Sequence, residues 1–194
     1  WTLNAGRPGW TPAVADYDDD GLADFAWYLP GTRAWRIYES GAHYALRQPT
    51  MRFGGDVPLP ADYDGDGLAD PAVFRTADGR IRFVGSVTQE VWRTEVGNPA
   101  WLPAPADYDG DGVQDPAWFL SGRRRWRILE SSRGFAERLP RPRFGSADGV
   151  PAPADFDGDG RADLAVFRKG DGVLEVRESS SAQREWSSPM GNPV

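Results

Sequence analysis

Asp16, Asp18, Asp20 and Asp24 place four carboxylates within nine residues, and the arrangement recurs three times. The other copies are Asp62, Asp64, Asp66 and Asp70; Asp107, Asp109, Asp111 and Asp115; and Asp155, Asp157, Asp159 and Asp163. Each reads Asp-aromatic-Asp-(Gly/Asp)-Asp-Gly-x-x-Asp, spanning 16–24, 62–70, 107–115 and 155–163. Carboxylates this dense repel one another unless a cation sits between them. Calcium takes about six to eight oxygen ligands, and Asp at positions 1, 3 and 5 turns three carboxylates toward one centre. Gly at position 6 permits the bend. Position 7 (Leu22, Leu68, Val113, Arg161) offers a backbone carbonyl, and position 9 completes the set.

The expectation is four structural Ca2+ ions, each joining the first strand of a repeat to the second. An EF-hand requires Glu at position 12, where Trp27, Val73, Trp118 and Val166 stand. Magnesium suits so flexible a loop less well. Zinc is disfavoured by the absence of Cys and the single His43. The competing reading is an Asp/Gly turn capped by its own side-chain hydrogen bonds. Four complete copies weigh against it.

Composition fits this picture. The sixteen ligand aspartates are more than half of the 29 acidic residues, so the formal charge of −7 belongs to the loops. Four divalent ions would carry it to +1 and leave a mildly basic surface. Lys169 is the only lysine. No long apolar run marks a membrane span, and no signal peptide is seen; a secreted protein would have its leader outside this chain. With 40% hydrophobic residues the chain is globular, and a disulfide scaffold is excluded. Weak calcium loops fill where calcium is about millimolar, which points outside the cell.

The loops must be positioned by a repeated unit. Their first aspartates, at 16, 62, 107 and 155, are 46, 45 and 48 residues apart. Such a period, with short apolar runs between turn signals, predicts four-stranded propeller blades. In the second repeat, strands are expected at 58–61, 71–75, 80–84 and 90–96, with a hairpin turn at 77–79 and closure at 97–99. No segment has helical periodicity. Trp35-Arg36-Ile37 matches Trp126-Arg127-Ile128, and Val73-Phe74-Arg75 matches Val166-Phe167-Arg168, so a pair of blades has been duplicated. The expected fold is one all-β domain over 1–194, a four-bladed β-propeller with blades 1/3 and 2/4 alike. Trp1 and the segment 186–193 both resemble the segment from Trp92, so each end carries a fourth-strand sequence. The ends close the ring, or the chain is part of a longer array.

The run from Phe53 through Gly54-Gly55-Asp56-Val57-Pro58-Leu59-Pro60-Ala61 into Asp62–Gly67, then Ala72-Val73-Phe74-Arg75, resembles the bacterial VCBS/FG-GAP-like repeat. The resemblance covers essentially the whole chain. It implies a β-propeller with calcium in each loop, as in integrin α heads and some lectins, and a secreted or surface protein of bacterial origin. It does not imply one activity. Asp19, where the family has glycine, is the main departure.

Trp27, Trp118, Trp35 and Trp126 align with Val73, Val166, Ile81 and Leu174 and are expected in the core. Trp10 and Trp101 align with Asp56 and Gly149 and are therefore candidate surface rings for ligand stacking. The arginine groups Arg123-Arg124-Arg125-Arg127 and Arg138-Arg141-Arg143 read as solvated faces, with contact to an anionic polymer as the alternative. No catalytic constellation is present: His43 is isolated, and no nucleophile or phosphate-binding motif occurs. The expectation is a non-enzymatic, calcium-stabilised, carbohydrate-binding module. A structural or adhesion propeller and a polysaccharide-acting enzyme are the alternatives. Expected partners are an extracellular glycan or surface protein, with a homodimer as a further option. Nucleic acid and membrane insertion are not expected.

Overall fold

The computed structural model describes residues 8–47, 50–94, 98–180 and 183–190. Trp1, residues 95–97 and residues 191–193, which figure in the expected strand ends and ring closure, lie outside them.

Among the described residues, sixteen strands form four antiparallel four-stranded meanders, the blades of an all-β, four-bladed β-propeller fold. Blade 1 is β1 (Thr11–Pro12), β2 (Phe25–Leu29), β3 (Ala34–Glu39) and β4 (Ala45–Leu46). Blade 2 is β5 (Val57–Pro58), β6 (Ala72–Arg75), β7 (Arg80–Val84) and β8 (Val91–Arg93). Blade 3 is β9 (Leu102–Pro103), β10 (Ala117–Leu120), β11 (Arg125–Glu130) and β12 (Ala136–Glu137). Blade 4 is β13 (Gly149–Pro151), β14 (Leu164–Arg168), β15 (Val173–Arg177) and β16 (Glu185–Pro189). Among the described residues there is no α-helix, only 3-10 turns at Ser121–Arg123 and Ser131–Arg133.

The third strand of blade 2 has the expected bounds, whereas the fourth is confined to Val91–Arg93. All three of its residues are exposed, so no buried face extends it. The segment from Trp186 serves as β16, pairing with β15 of its own blade.

The chain divides into two compact units, 1–97 and 98–194, each containing two blades. Within the first unit the Ala69 N–H donates to Asp16 O at 2.8 Å, tying loop 2 to loop 1. Within the second, the Ala162 N–H donates to Asp107 O at 2.6 Å in the corresponding place.

Blade 1 buries alternate residues of its middle strands, whereas the second strands of blades 2, 3 and 4 each bury three residues in a row. Trp35, Trp126, Ile81 and Ile128 are almost fully buried, and Trp118, Val73 and Val166 lie with them in the core. Full burial of side chains this size contributes about 1.5–3 kcal/mol each. The core reading of the aligned tryptophans therefore holds for three of the four. Trp27 is only half-buried.

Loop position 2 adds a core residue. Tyr17, Tyr63 and Tyr108 are fully buried, and each hydroxyl donates to a backbone carbonyl four residues earlier: Ala13, Leu59 and Ala104. In blade 4 the position is Phe156, which lacks the hydroxyl and is 41% exposed.

Candidate metal centres and an arginine-lined cleft

The four loops share one hydrogen-bond plan, dictated by backbone geometry. Position 1 accepts from two backbone N–H groups: Asp16 from Asp19 and Gly21, Asp62 from Gly65 and Gly67, Asp107 from Gly110 and Gly112, and Asp155 from Gly158 and Gly160. Positions 4 and 6 both turn left-handed, with φ of 80° and 87° at Gly65 and Gly67. Glycine adopts this conformation without strain. Asp19 adopts it at φ 59°. Position 5 accepts from the N–H of position 7, so Leu22, Leu68, Val113 and Arg161 each close a small turn. None of these four side chains is buried.

Position 9 has a different role from positions 1 and 5. Asp24, Asp70, Asp115 and Asp163 have no exposed surface, yet each carboxylate is satisfied. One oxygen accepts from the N–H of the position 2 aromatic: Tyr17, Tyr63, Tyr108 or Phe156. The other accepts, at 2.7 Å in every blade, from the N–H of a serine sixteen residues on: Ser40, Ser86, Ser131 or Ser179. The same serine hydroxyl donates to the position 5 aspartate. The serine thus clamps the loop to the hairpin between strands 3 and 4. Sequence reasoning missed it, although a serine 24 residues after the first loop aspartate in all four repeats was a readable signal.

Position 3 is left with unused capacity. Asp18 and Asp109 each bury Oδ1 without a hydrogen-bond partner, and Asp64 buries both oxygens with only weak contacts from the Asp66 N–H and the Thr88 hydroxyl. A Cβ on Gly85 would fall 2.4 Å from Asp64 Oδ2, so the hairpin can press against this carboxylate only through a glycine. Carboxylate oxygens of Asp16, Asp18 and Asp24 lie within 4.8 Å of one another. So do those of Asp62, Asp64 and Asp66; of Asp107, Asp109 and Asp115; and of Asp155, Asp157 and Asp163.

Electrostatics point the same way. Burial, with Asp66 and Asp62 close by, pushes the Asp64 carboxyl up. Burial pushes Asp70 up to about 7 and Asp115 to about 6, against the hydrogen bonds that favour their charged forms. Buried carboxylates without hydrogen-bond partners are costly, and a cation removes the cost. Each carboxylate offers about four lone-pair sites, so one that accepts N–H bonds still has room to ligate. An all-oxygen set on a flexible loop fits calcium.

The two stacking candidates diverge. Trp101 is only 8% exposed, so the expectation of a surface ring is corrected: the side chain packs inward where its repeat partners are Asp56 and Gly149. Trp10 is half-buried, with the Arg36 guanidinium 5.1 Å above its ring. His43 sits on an exposed turn with φ 55°.

The second unit also contains a cleft of about 600 Å³, lined by Arg138, Arg141, Arg143, Arg161 and Arg177 together with Glu130 and Glu178. It gathers one of the arginine groups that the sequence left as a solvated face. Arg138 donates from Nε to Glu130 at 2.6 Å and from Nη2 to Tyr108 O at 2.7 Å. Burial alone would raise Glu130, but hydrogen bonds from Arg133 and Arg138 outweigh it and hold the carboxyl below its usual range. Burial holds the Tyr108 phenol far above its usual value, and its hydroxyl is committed to Ala104. The cleft is therefore suited to gripping anionic or carbonyl groups through guanidinium donors. Tyr108 is not a base there.

No family model matches the chain, and no curated protein is significantly similar to it. Solved structures are similar in fold. A catalytically inactive virginiamycin B lyase from Staphylococcus aureus with quinupristin, a variant in which one histidine is replaced by alanine, aligns at TM-score 0.64 and 10% identity, covering 98% of this chain and 59% of that one. A streptogramin B lyase aligns at TM-score 0.59 and 9% identity, covering 97% and 57%. A protein from Lactobacillus plantarum aligns at TM-score 0.53 and 15% identity, covering 91% and 56%. The chain thus spans under two thirds of the length of these structures. They support a propeller fold and bring no evidence for the VCBS/FG-GAP relationship.

They also correct the functional expectation. A non-enzymatic, lectin-like module was expected, yet structures sharing this fold are named as lyases. The fold is a frame on which enzymes are built, and the inward packing of Trp101 removes one of the two rings that motivated sugar binding.

Proposed function

We propose that this chain is a calcium-held β-propeller that frames a lyase-type enzyme acting outside the cell. One observation carries the metal assignment. Position 3 of three loops buries carboxylate oxygens that lack a well-formed hydrogen bond, beside carboxylates within 4.8 Å. When bound, calcium supplies positive charge that neutralises each cluster and ties its loop together. The aspartates at positions 1, 3, 5 and 9 of each loop, Asp16, Asp18, Asp20 and Asp24 in the first, would hold it. Binding energy of this kind adds directly to folding energy. Elemental analysis of calcium-supplemented, desalted protein should find four ions per chain. EDTA should lower the melting temperature by many degrees. Protein that binds no calcium and melts alike with and without EDTA would refute the assignment.

The catalytic reading is favoured by the arginine-lined cleft in the second unit. Among the described residues no carboxylate pairs with Arg143 or Arg161, so both guanidinium groups are available to a substrate. Streptogramin B compounds are the substrates to try first, because similar structures are named for acting on them. Quinupristin would be incubated with the calcium-loaded protein and its loss followed by mass spectrometry. Turnover that falls at least about tenfold in Arg143→Ala or Arg161→Ala supports the cleft. No loss of quinupristin at any enzyme concentration sinks the reading for this substrate class.

A further inference from the structure

One face of blade 2 gathers arginines that outnumber the carboxylates beside them among the described residues. Cross-strand pairing sets Arg75 opposite Arg80, Val73 opposite Arg82, and Arg82 opposite Arg93. Since alternate residues share a face, Arg75, Arg80, Arg82 and Arg93 project from one side. They line a cavity of about 170 Å³ with Val73 and Gly54. Like charges directly opposite on neighbouring strands destabilise a sheet. Asp78 offsets part of this charge: it accepts from Arg75 Nε at 2.9 Å and lies 3.6 Å from Arg80 Nε. Among the described residues, neither Arg82 nor Arg93 has a carboxylate partner. Arg82 Nε is buried without any hydrogen-bond partner, and its guanidinium is held 5.4 Å over the Phe53 ring. Burial, then Arg93 and Arg33, holds that guanidinium below its ordinary pKa.

The equivalent position in the other blades is handled differently each time. Arg36 lies over Trp10, and Arg127 lies over Trp118 with Glu137 at 3.4 Å. In blade 4 the residue is Glu175, which pairs with Arg168 at 3.1 Å and accepts from Ser146 at 2.6 Å. Blade 4 thus fills with its own carboxylate the place that blade 2 leaves cationic.

We infer that the blade 2 cavity is an anion site for one sulfate-sized oxyanion, held between Arg82 and Arg93. A doubly charged oxyanion has acceptor oxygens for both guanidinium groups and for the buried Arg82 Nε, and it removes the repulsion across β7 and β8. The cavity has room for one such group. The oxyanion is a free inorganic ion or the ester group of a larger molecule.

The test uses calcium-loaded full chain, with melting temperature and calorimetric binding as readouts. Sodium sulfate is compared with sodium chloride at equal ionic strength, and glucose 6-sulfate forms a further arm. Sulfate should raise the melting temperature by about 3 °C or more over chloride. Arg93→Gln, on an exposed strand, should abolish that difference. Arg82→Glu, which installs the blade 4 arrangement, should abolish it while keeping the protein folded. Tighter binding of glucose 6-sulfate than of sulfate assigns the site to an ester; equal or weaker binding assigns it to the free ion. A sulfate response equal to that of chloride, or one unchanged in Arg93→Gln and Arg82→Glu, overturns the inference. This outcome is independent of calcium stoichiometry and of quinupristin turnover.

Discussion

Asp115→Ala should unfold blade 3 more readily than any exposed loop substitution, because the buried carboxylate brackets two segments. Asp115 has no exposed surface and accepts from the Tyr108 N–H at 2.9 Å and the Ser131 N–H at 2.7 Å. Hydrogen bonds to charged groups contribute about 1.5–3 kcal/mol each, and the alanine leaves two buried N–H donors without partners. The expected loss is about 3–6 kcal/mol. For a unit of this size that is a fall of at least about 12 °C in melting temperature. Asp115→Asn keeps one acceptor oxygen and turns an amide NH2 toward the other donor, so its loss should be smaller, about 1–3 kcal/mol. Asp111→Ala is the comparison, since Asp111 is exposed and bonds Val113 N and the Ser131 hydroxyl. Thermal and urea denaturation would be run with calcium and with EDTA. The bracket predicts that Asp115→Ala remains strongly destabilising in EDTA, whereas Asp111→Ala loses most of its effect there. If the Asp115→Ala penalty disappears with the metal, the carboxylate acts only as a ligand and the bracket argument fails.

Asp19→Gly should stabilise by about 0.5 kcal/mol, because Asp19 stands at φ 59° where three other loops have glycine; a lowered urea midpoint would contradict this. Gly149→Ala should cost about 1–3 kcal/mol, since its Cβ would fall 2.0 Å from Val166 Cγ1; Val166→Ala in the same chain should recover part of that in a double-mutant cycle. The metal-free protein should lose stability as pH rises. Asp70 at about 7 and Asp115 at about 6 stand above the unfolded value near 3.9, so the folded state binds more protons between about pH 4 and 7. In EDTA the urea midpoint should therefore be higher at pH 5 than at pH 8. Calcium, which needs the ionised carboxylates, should reverse the trend.

The loops and the blade period were legible in the sequence because both are local. Nine residues fix which carboxylates converge, and a repeat in the mid-forties fixes four strands per blade. Alignment of the repeats placed Trp35, Trp118 and Trp126 in the core, since positions that accept Val, Ile or Leu are apolar in every blade. Tertiary structure decided what depends on partners far along the chain. Asp24, Asp70, Asp115 and Asp163 look like four more ligands in sequence, and only the fold shows that each is also a buried bracket to a serine sixteen residues away. Trp101 looked exposed because its repeat partners are Asp56 and Gly149, but one position can be surface in one blade and packed in another. Arg82 and Glu175 occupy the same repeat position, and only cross-strand register reveals that Glu175 is paired while Arg82 has no carboxylate partner among the described residues. Local spacing sets which groups meet within a turn, whereas burial and charge balance are sums over neighbours that folding alone brings together.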